Sequence, residues 1–205
     1  MCLMAVAAGC HTRLMARLCV FCGSSSGFDP GYVAAASLLG REIAGAGHEL
    51  VYGGGHVGLM GVVADAALDS GAEVTGVITE SLLAAEVAHE GLTKLVISKS
   101  MHDRKERMAD LSDGVIVLPG GFGTLDETFE IITWNQLGLI SMPVVFLDVA
   151  NYFSALFSFI AGSVDAGFMN ADHGDLARRV SSPIEAVRIA AGPAASYRPK
   201  WVDGN

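Results

Sequence analysis

At 205 residues, 51% of them apolar and 17% charged, with a formal net charge of -9, the chain can bury a core but lacks the clustered Lys and Arg that long polyanions demand. No apolar run reaches the roughly 18 residues of a membrane span, so the expected partner is a small molecule, neither nucleic acid nor membrane. Short apolar runs broken by glycine are the pattern of strands buried on both faces, as in a parallel α/β sheet.

In chain order, residues 1–17 read as a loose extension. Their short apolar stretch precedes Arg13 and Arg17, the reverse of a secretion signal. Strand and helix signals then alternate: LCVFC, a helix over 30–44 closed by Gly45 and Gly47, HELVY, a helix over 59–70, EVTGVI, a short helix over 81–87, KLVIS, a helix over 101–111, and GVIVL. A helix over 124–137, a last strand over 143–147 and packing helices over 152–166 and 184–191 complete one domain, residues 18–192. The Pro- and Gly-rich tail, 193–205, reads as frayed. Repeated strand, helix, strand order means right-handed parallel crossovers, a doubly wound α/β sheet flanked by helices. Ligands of such sheets collect beyond the carboxyl ends of the strands, where GSSSG, GGGHVGLMG, MHDRKERM and PGGFGT converge.

The cysteines, Cys2, Cys10, Cys19 and Cys22, include a C-x-x-C without a second pair at zinc spacing, so buried thiols in a reducing cytoplasm are expected, and no metal. GGGHVG, residues 53–58, has dinucleotide-loop spacing, with Glu80 where a ribose-binding acid would be sought. It follows the second strand instead of the first, and a loop that lets helix approach strand fits equally. GSSSG, with Gly23 and Ser24 at its start, offers backbone N–H groups at a strand end, for a ligand or for an ordinary helix entry.

Met101, Arg104, Met108 and Leu111 share the inward stripe of their helix, so Arg104 occupies a position suited to an apolar residue. A guanidinium there needs a carboxylate, making a structural pair, or a bound anion, making a clamp; its place at the crevice favours the clamp. Lys105, about 100° round the helix, offers a second positive charge. In PGGFGTLDE, Gly120, Gly121 and Gly123 expose N–H groups before a helix N-terminus, which is what an anion site needs. Thr124 and Glu127 also have T-x-x-E spacing, which a capping box would explain, with Thr124 as N-cap and Glu127 bonding back to it.

Taken together, CVFCGSSSG, LVYGGGHVGLMG, MHDRK, LPGGFGTLDE and TWNQLG resemble the LOG ("Lonely guy") family of cytokinin riboside 5′-monophosphate phosphoribohydrolases, long labelled lysine decarboxylases. The resemblance implies a Rossmann-like fold, a homodimer with sites near the subunit interface, and hydrolysis of a nucleoside 5′-monophosphate to free base and ribose 5-phosphate without a cofactor. It matches Arg104 and Glu127 to a catalytic pair, and Lys105, Gly121, Gly123, Thr124, Glu86 and Thr133 to binding positions. Residues 139–143, LISMP, lack the His and Lys that members often carry, and Thr79 stands where proline is common. On this reading the glycine loop and Thr124 hold phosphate, and Glu127, kept ionised by its helix N-terminus, serves the ribose. A decarboxylase would need a Schiff-base lysine, for which only Lys105 lies in the crevice. The alternative is a non-catalytic nucleotide carrier or sensor on the same fold.

Overall fold

A computed structural model describes residues 15–84 and 88–197 of the chain. Among these residues seven parallel strands form one sheet in the order β4-β3-β2-β1-β5-β6-β7. They are β1 (Arg17–Phe21), β2 (Glu49–Tyr52), β3 (Val74–Thr79), β4 (Lys94–Ser98), β5 (Gly114–Val117), β6 (Val144–Leu147) and β7 (Ala177–Val180). Between them run α1 (Pro30–Gly45), α2 (Gly58–Asp69), α3 (Glu80–Ala84), α4 (Met101–Asp110), α5 (Phe122–Gln136), α6 (Ser154–Asp165) and α7 (Ala171–Gly174), with α8 (Pro183–Ala190) last.

Side-chain alternation along each strand divides the core in two. Leu18, Val20, Leu50, Tyr52, Ile116 and Val145 bury one face against α1, α2 and α8. Cys19, Val51, Val77, Val115, Val117 and Phe146 bury the other against α4, α5 and the base of α6. Central strands covered on both sides must be apolar throughout, which is why β5 reads GVIV and β6 reads VVFL. The doubly wound, single-domain α/β fold expected from the alternation is the one observed.

Two local differences have physical causes. β7 was not expected, because ARRV carries two arginines and no apolar run. An edge strand pairs on one side only and tolerates charge there, and Arg179 is held by the Asp148 carboxylate and by Ser154 Oγ at 2.8 Å. The helix expected from residue 152 begins at Ser154, because Ala150 and Asn151 take left-handed φ values of 53° and 58° in a tight turn after β6. β1 begins at Arg17, and Ala16 is already buried. The short helix expected over 81–87 is seen as α3 as far as Ala84, its remainder lying outside the described residues. Among the described residues no helix is long and apolar enough to cross a membrane.

The strand order reverses between β1 and β5, whose neighbours diverge to opposite sides. That divergence opens a crevice at their carboxyl ends.

Candidate active site

The crevice is walled by tight loops. Gly23, just after β1, donates its N–H to Pro119 O at 3.0 Å and accepts from Leu59 N at 3.1 Å, joining the loops that follow β1 and β5 to the first turn of α2. Gly120 is pressed between them: a Cβ there would lie 2.1 Å from Thr124 Oγ1 and 2.8 Å from Gly23 N. From the turn after β6, Tyr152 donates its hydroxyl to Gly120 O at 2.7 Å, fixing the loop from behind. Nothing in the sequence pattern marked that contact.

The N-cap of α5 is Gly121, with φ -95° and ψ -150° and no side-chain cap. Helix therefore begins at Phe122, Thr124 is already inside the first turn, and Glu127 lies a turn further on. The capping-box reading of Thr124 and Glu127 is thereby overturned: a glycine with no side-chain oxygen holds the N-cap, and Glu127 is free to bond elsewhere. First-turn N–H groups have no intrahelical acceptors. Those of Phe122, Gly123 and Thr124 lie at the positive end of the helix, beside the cavity that Gly121, Gly123 and Thr124 line.

Glu127 meets Arg104. The α4 helix starts at its N-cap Ser100, whose hydroxyl accepts from Asp103 N at 3.1 Å, and it turns Arg104 inward to 6% exposure. Each guanidinium nitrogen has an acceptor: Nε donates to Val77 O at 2.8 Å, Nη2 to Gly53 O at 3.2 Å, and Nη1 to Glu127 Oε1 at 2.6 Å. The inward position expected for Arg104 is observed, and its side-chain partner is the Glu127 carboxylate, as in the pair alternative. Burial raises Glu127 above the ordinary glutamate range, against the lowering pull of Arg104. This corrects the expectation that a helix N-terminus holds the group ionised: Glu127 lies beyond the first turn, and its counter-charge is Arg104.

A cavity of about 530 Å³ contains this pair. Its polar lining includes Ser24, Thr124, Arg104 and Glu127, and its apolar lining Val57, Met60, Ile78, Leu82 and Met101. The four segments expected to converge all contribute, and β3 and α3 add Ile78 and Leu82, which sequence reasoning did not single out. Met101, expected inward, is half exposed at the cavity wall.

Not every candidate residue reaches this cavity. Gly23 and Ser24 line it together with Gly121, Gly123, Thr124, Arg104 and Glu127, whereas Gly120 backs a neighbouring hollow of about 320 Å³. Lys105 is rotated away: its Nζ lies 3.1 Å from Asp126 Oδ2 and 3.0 Å from Glu130 Oε2, both on α5. Thr133 is exposed and donates to Phe129 O at 2.6 Å within its own helix. Glu86 lies outside the described residues, as do Cys2 and Cys10. Glu80, sought as a ribose acid, is exposed at the start of α3 and is not among the cavity-lining residues. Cys19 and Cys22 are free and buried, and burial drives both thiols upward, keeping them neutral. No group of three or more His, Cys, Asp or Glu placed to hold a metal occurs among the described residues.

Comparison with known proteins gives relatives for this arrangement. The family described as possible lysine decarboxylase matches residues 60–190. A protein of Arabidopsis thaliana named cytokinin riboside 5′-monophosphate phosphoribohydrolase is 46% identical over 164 residues, 80% of this chain and 74% of that protein. One of the same name from Oryza sativa subsp. japonica is 42% identical over 188 residues, 92% of this chain and 76% of that protein. Among solved structures, the molybdenum cofactor binding protein of Rippkaea orientalis superposes with a TM-score of 0.65 at 21% identity, covering 85% of this chain and 94% of that one. The molybdenum cofactor carrier protein of Chlamydomonas reinhardtii gives 0.65 at 20% identity over the same shares. At such identities these two show the fold alone.

Proposed function

We propose that this chain, which belongs to the LOG family, hydrolyses the N-glycosidic bond of N6-modified adenosine 5′-monophosphates, releasing free base and ribose 5-phosphate. The observation that carries the reading is the buried pair of Arg104 and Glu127 in the wall of the cavity onto which the N-terminus of α5 opens. A carrier would need the anion site but not a desolvated carboxylate beside it.

Each part of the substrate has a counterpart. The 5′-phosphate sits against the first-turn N–H groups of α5, with Thr124 and Ser24 supplying hydroxyls. Glu127, one turn further along the same helix, then faces the ribose. C1′–N cleavage passes through an oxocarbenium-like sugar, which a negative carboxylate stabilises. Glu127 orients water toward C1′ or engages the ribose hydroxyls. The water oxygen bonds to C1′ and gives up a proton, and the departing base keeps the electron pair of the broken C1′–N bond and takes up a proton in its place. Arg104 holds the carboxylate in place and balances charge as the bond breaks. Val57, Met60, Ile78 and Leu82 offer an apolar wall to the base and to an alkyl group on its N6. A decarboxylase is disfavoured, since no lysine among the described residues lines the cavity and Lys105 is committed to Asp126 and Glu130.

Incubation with AMP and with N6-isopentenyladenosine 5′-monophosphate, with free base measured by chromatography, tests the reading. Base is expected from the alkylated nucleotide; release from neither by folded protein refutes the hydrolase. Because the phosphate supplies binding energy, the specificity constant for a monophosphate is expected to exceed that for its nucleoside by roughly 10²-fold, the worth of about two charge-assisted hydrogen bonds. Equal constants would remove the phosphate from the α5 N-terminus.

The ligand is a small nucleotide and not nucleic acid or a membrane surface, in keeping with the net charge of -9. Free buried thiols at Cys19 and Cys22 fit a cytoplasmic protein. A homodimer is the assembly this reading expects. Phe129, Thr133 and Leu137 recur every fourth residue on the outward face of α5, and α6 turns Phe159 outward at 69% exposure. An α5-to-α5 contact would set Thr133 against the partner copy. Light scattering is expected to give twice 21.3 kDa; a particle of 21.3 kDa at all concentrations would exclude the dimer.

A further inference from the structure

GGGHVG, residues 53–58, has the spacing of a dinucleotide loop, yet its first glycine faces an arginine. Gly53 follows β2, is buried, and accepts from Arg104 Nη2 at 3.2 Å. Backbone conformation does not demand glycine there: Gly54 and Gly58 have φ values of 75° and 65°, whereas Gly53 is not among the positive-φ residues. Space does demand it. A Cβ on residue 53 would lie 2.3 Å from Arg104 Nη2 and 3.2 Å from Met60 Sδ.

The two neighbours differ in their freedom to yield. Met60 ends in a flexible thioether that can swing aside. The guanidinium is planar and buried, and it is tied to Val77 O, Gly53 O and Glu127 Oε1. A shift large enough to relieve a 2.3 Å overlap must stretch at least one of these bonds. Lengthening any of them re-aims Nη1, the nitrogen that holds Glu127.

We propose that Gly53 is a positioning residue: its missing side chain is the slot that seats the Arg104 guanidinium and so fixes the Arg104–Glu127 pair in the cavity. This rests on the reading that the pair carries catalysis. Gly53 itself lines the cavity, and the part assigned to it here is through Arg104, whose Nη2 it holds. The phosphate loop lies elsewhere in the cavity wall, so a disturbance at Gly53 reaches kcat in preference to KM.

The test is Gly53→Ala in the full chain, alone and combined with Arg104→Lys, which removes Nη2. In Gly53→Ala, kcat is expected to fall roughly 10-fold or more, with KM for the monophosphate changed less than about 3-fold. The Glu127 carboxyl, followed by carbon NMR, is expected to titrate at higher pH than in the parent protein, because its counter-charge has moved. In the Arg104→Lys background the alanine is expected to shift that titration, and any measurable kcat, by less than about 2-fold. A parental titration and kcat in Gly53→Ala overturn the proposal, as do equal effects in both backgrounds, which would mean the alanine acts through the loop. If Gly53→Ala fails to fold, the double variant decides: recovery of a cooperative melt supports the slot, and continued unfolding overturns it. The titration is independent of turnover. A wild-type protein that releases no base therefore defeats the functional reading and leaves the slot to be judged by NMR.

Discussion

Replacing Glu127 by glutamine lowers kcat for the monophosphate by roughly 10²-fold or more while the chain still folds. Glutamine keeps the shape of the side chain and can still accept from Arg104 Nη1, so what it removes is the negative charge. Helix initiation is untouched, because α5 starts at its Gly121 N-cap without help from Glu127. The pH dependence has a definite sign. Burial raises the Glu127 carboxyl, so as pH falls it takes up a proton, and loses the charge the transition state needs, at a higher pH than an ordinary glutamate. The acid limb of kcat in the parent protein therefore lies above the usual glutamate range, and the glutamine variant lacks it. Steady-state rates against pH, with circular dichroism melting of both proteins, provide the check. Near-normal kcat in folded Glu127→Gln would reduce the pair to a structural tie.

Arg104→Ala is expected to cost both turnover and stability. It strands a largely buried carboxylate and removes the N–H donors that Val77 O and Gly53 O accept from. Removing one partner of a buried ion pair costs about 3–5 kcal/mol, far above the 0–1 kcal/mol typical of an exposed pair. Without the lowering pull of Arg104, the Glu127 carboxyl rises further, so the acid limb of any residual activity moves to higher pH. Denaturant unfolding and the rate profile read these two effects separately. Unchanged stability would mean that the pair is open to solvent.

Arg104 and Glu127 are both legible as candidates in the sequence, for different reasons. An arginine in the apolar stripe of a helix is a sequence-level anomaly, and a glycine cluster before a helix announces free N–H groups wherever it occurs. The partnership between them was not legible, since it joins α4 to α5 across 23 positions. T-x-x-E spacing drew Glu127 toward a cap because the true N-cap, Gly121, has no side chain by which a sequence could declare it. Lys105 shows the limit of adjacency: one step along a helix turns a side chain from the cavity to the acidic residues of α5. β7 escaped notice because an edge strand needs no apolar run, and Tyr152 because a hydroxyl reaching a loop carbonyl leaves no periodic trace. The parallel sheet itself was plain, since strands buried on both faces must be apolar throughout, and that constraint is written residue by residue.

The central claim is that the Arg104–Glu127 cavity breaks the bond to the base instead of merely holding the nucleotide. The most direct measurement incubates the protein with N6-isopentenyladenosine 5′-monophosphate in water enriched in heavy oxygen, then separates protein-bound and free species for mass spectrometry. Free N6-isopentenyladenine in excess over protein, with ribose 5-phosphate carrying heavy oxygen at C1 before exchange, is the predicted result, and Glu127→Gln should yield almost none of either. Intact nucleotide recovered in stoichiometric complex with the wild-type protein, with no labelled sugar phosphate, would contradict the account and identify a carrier.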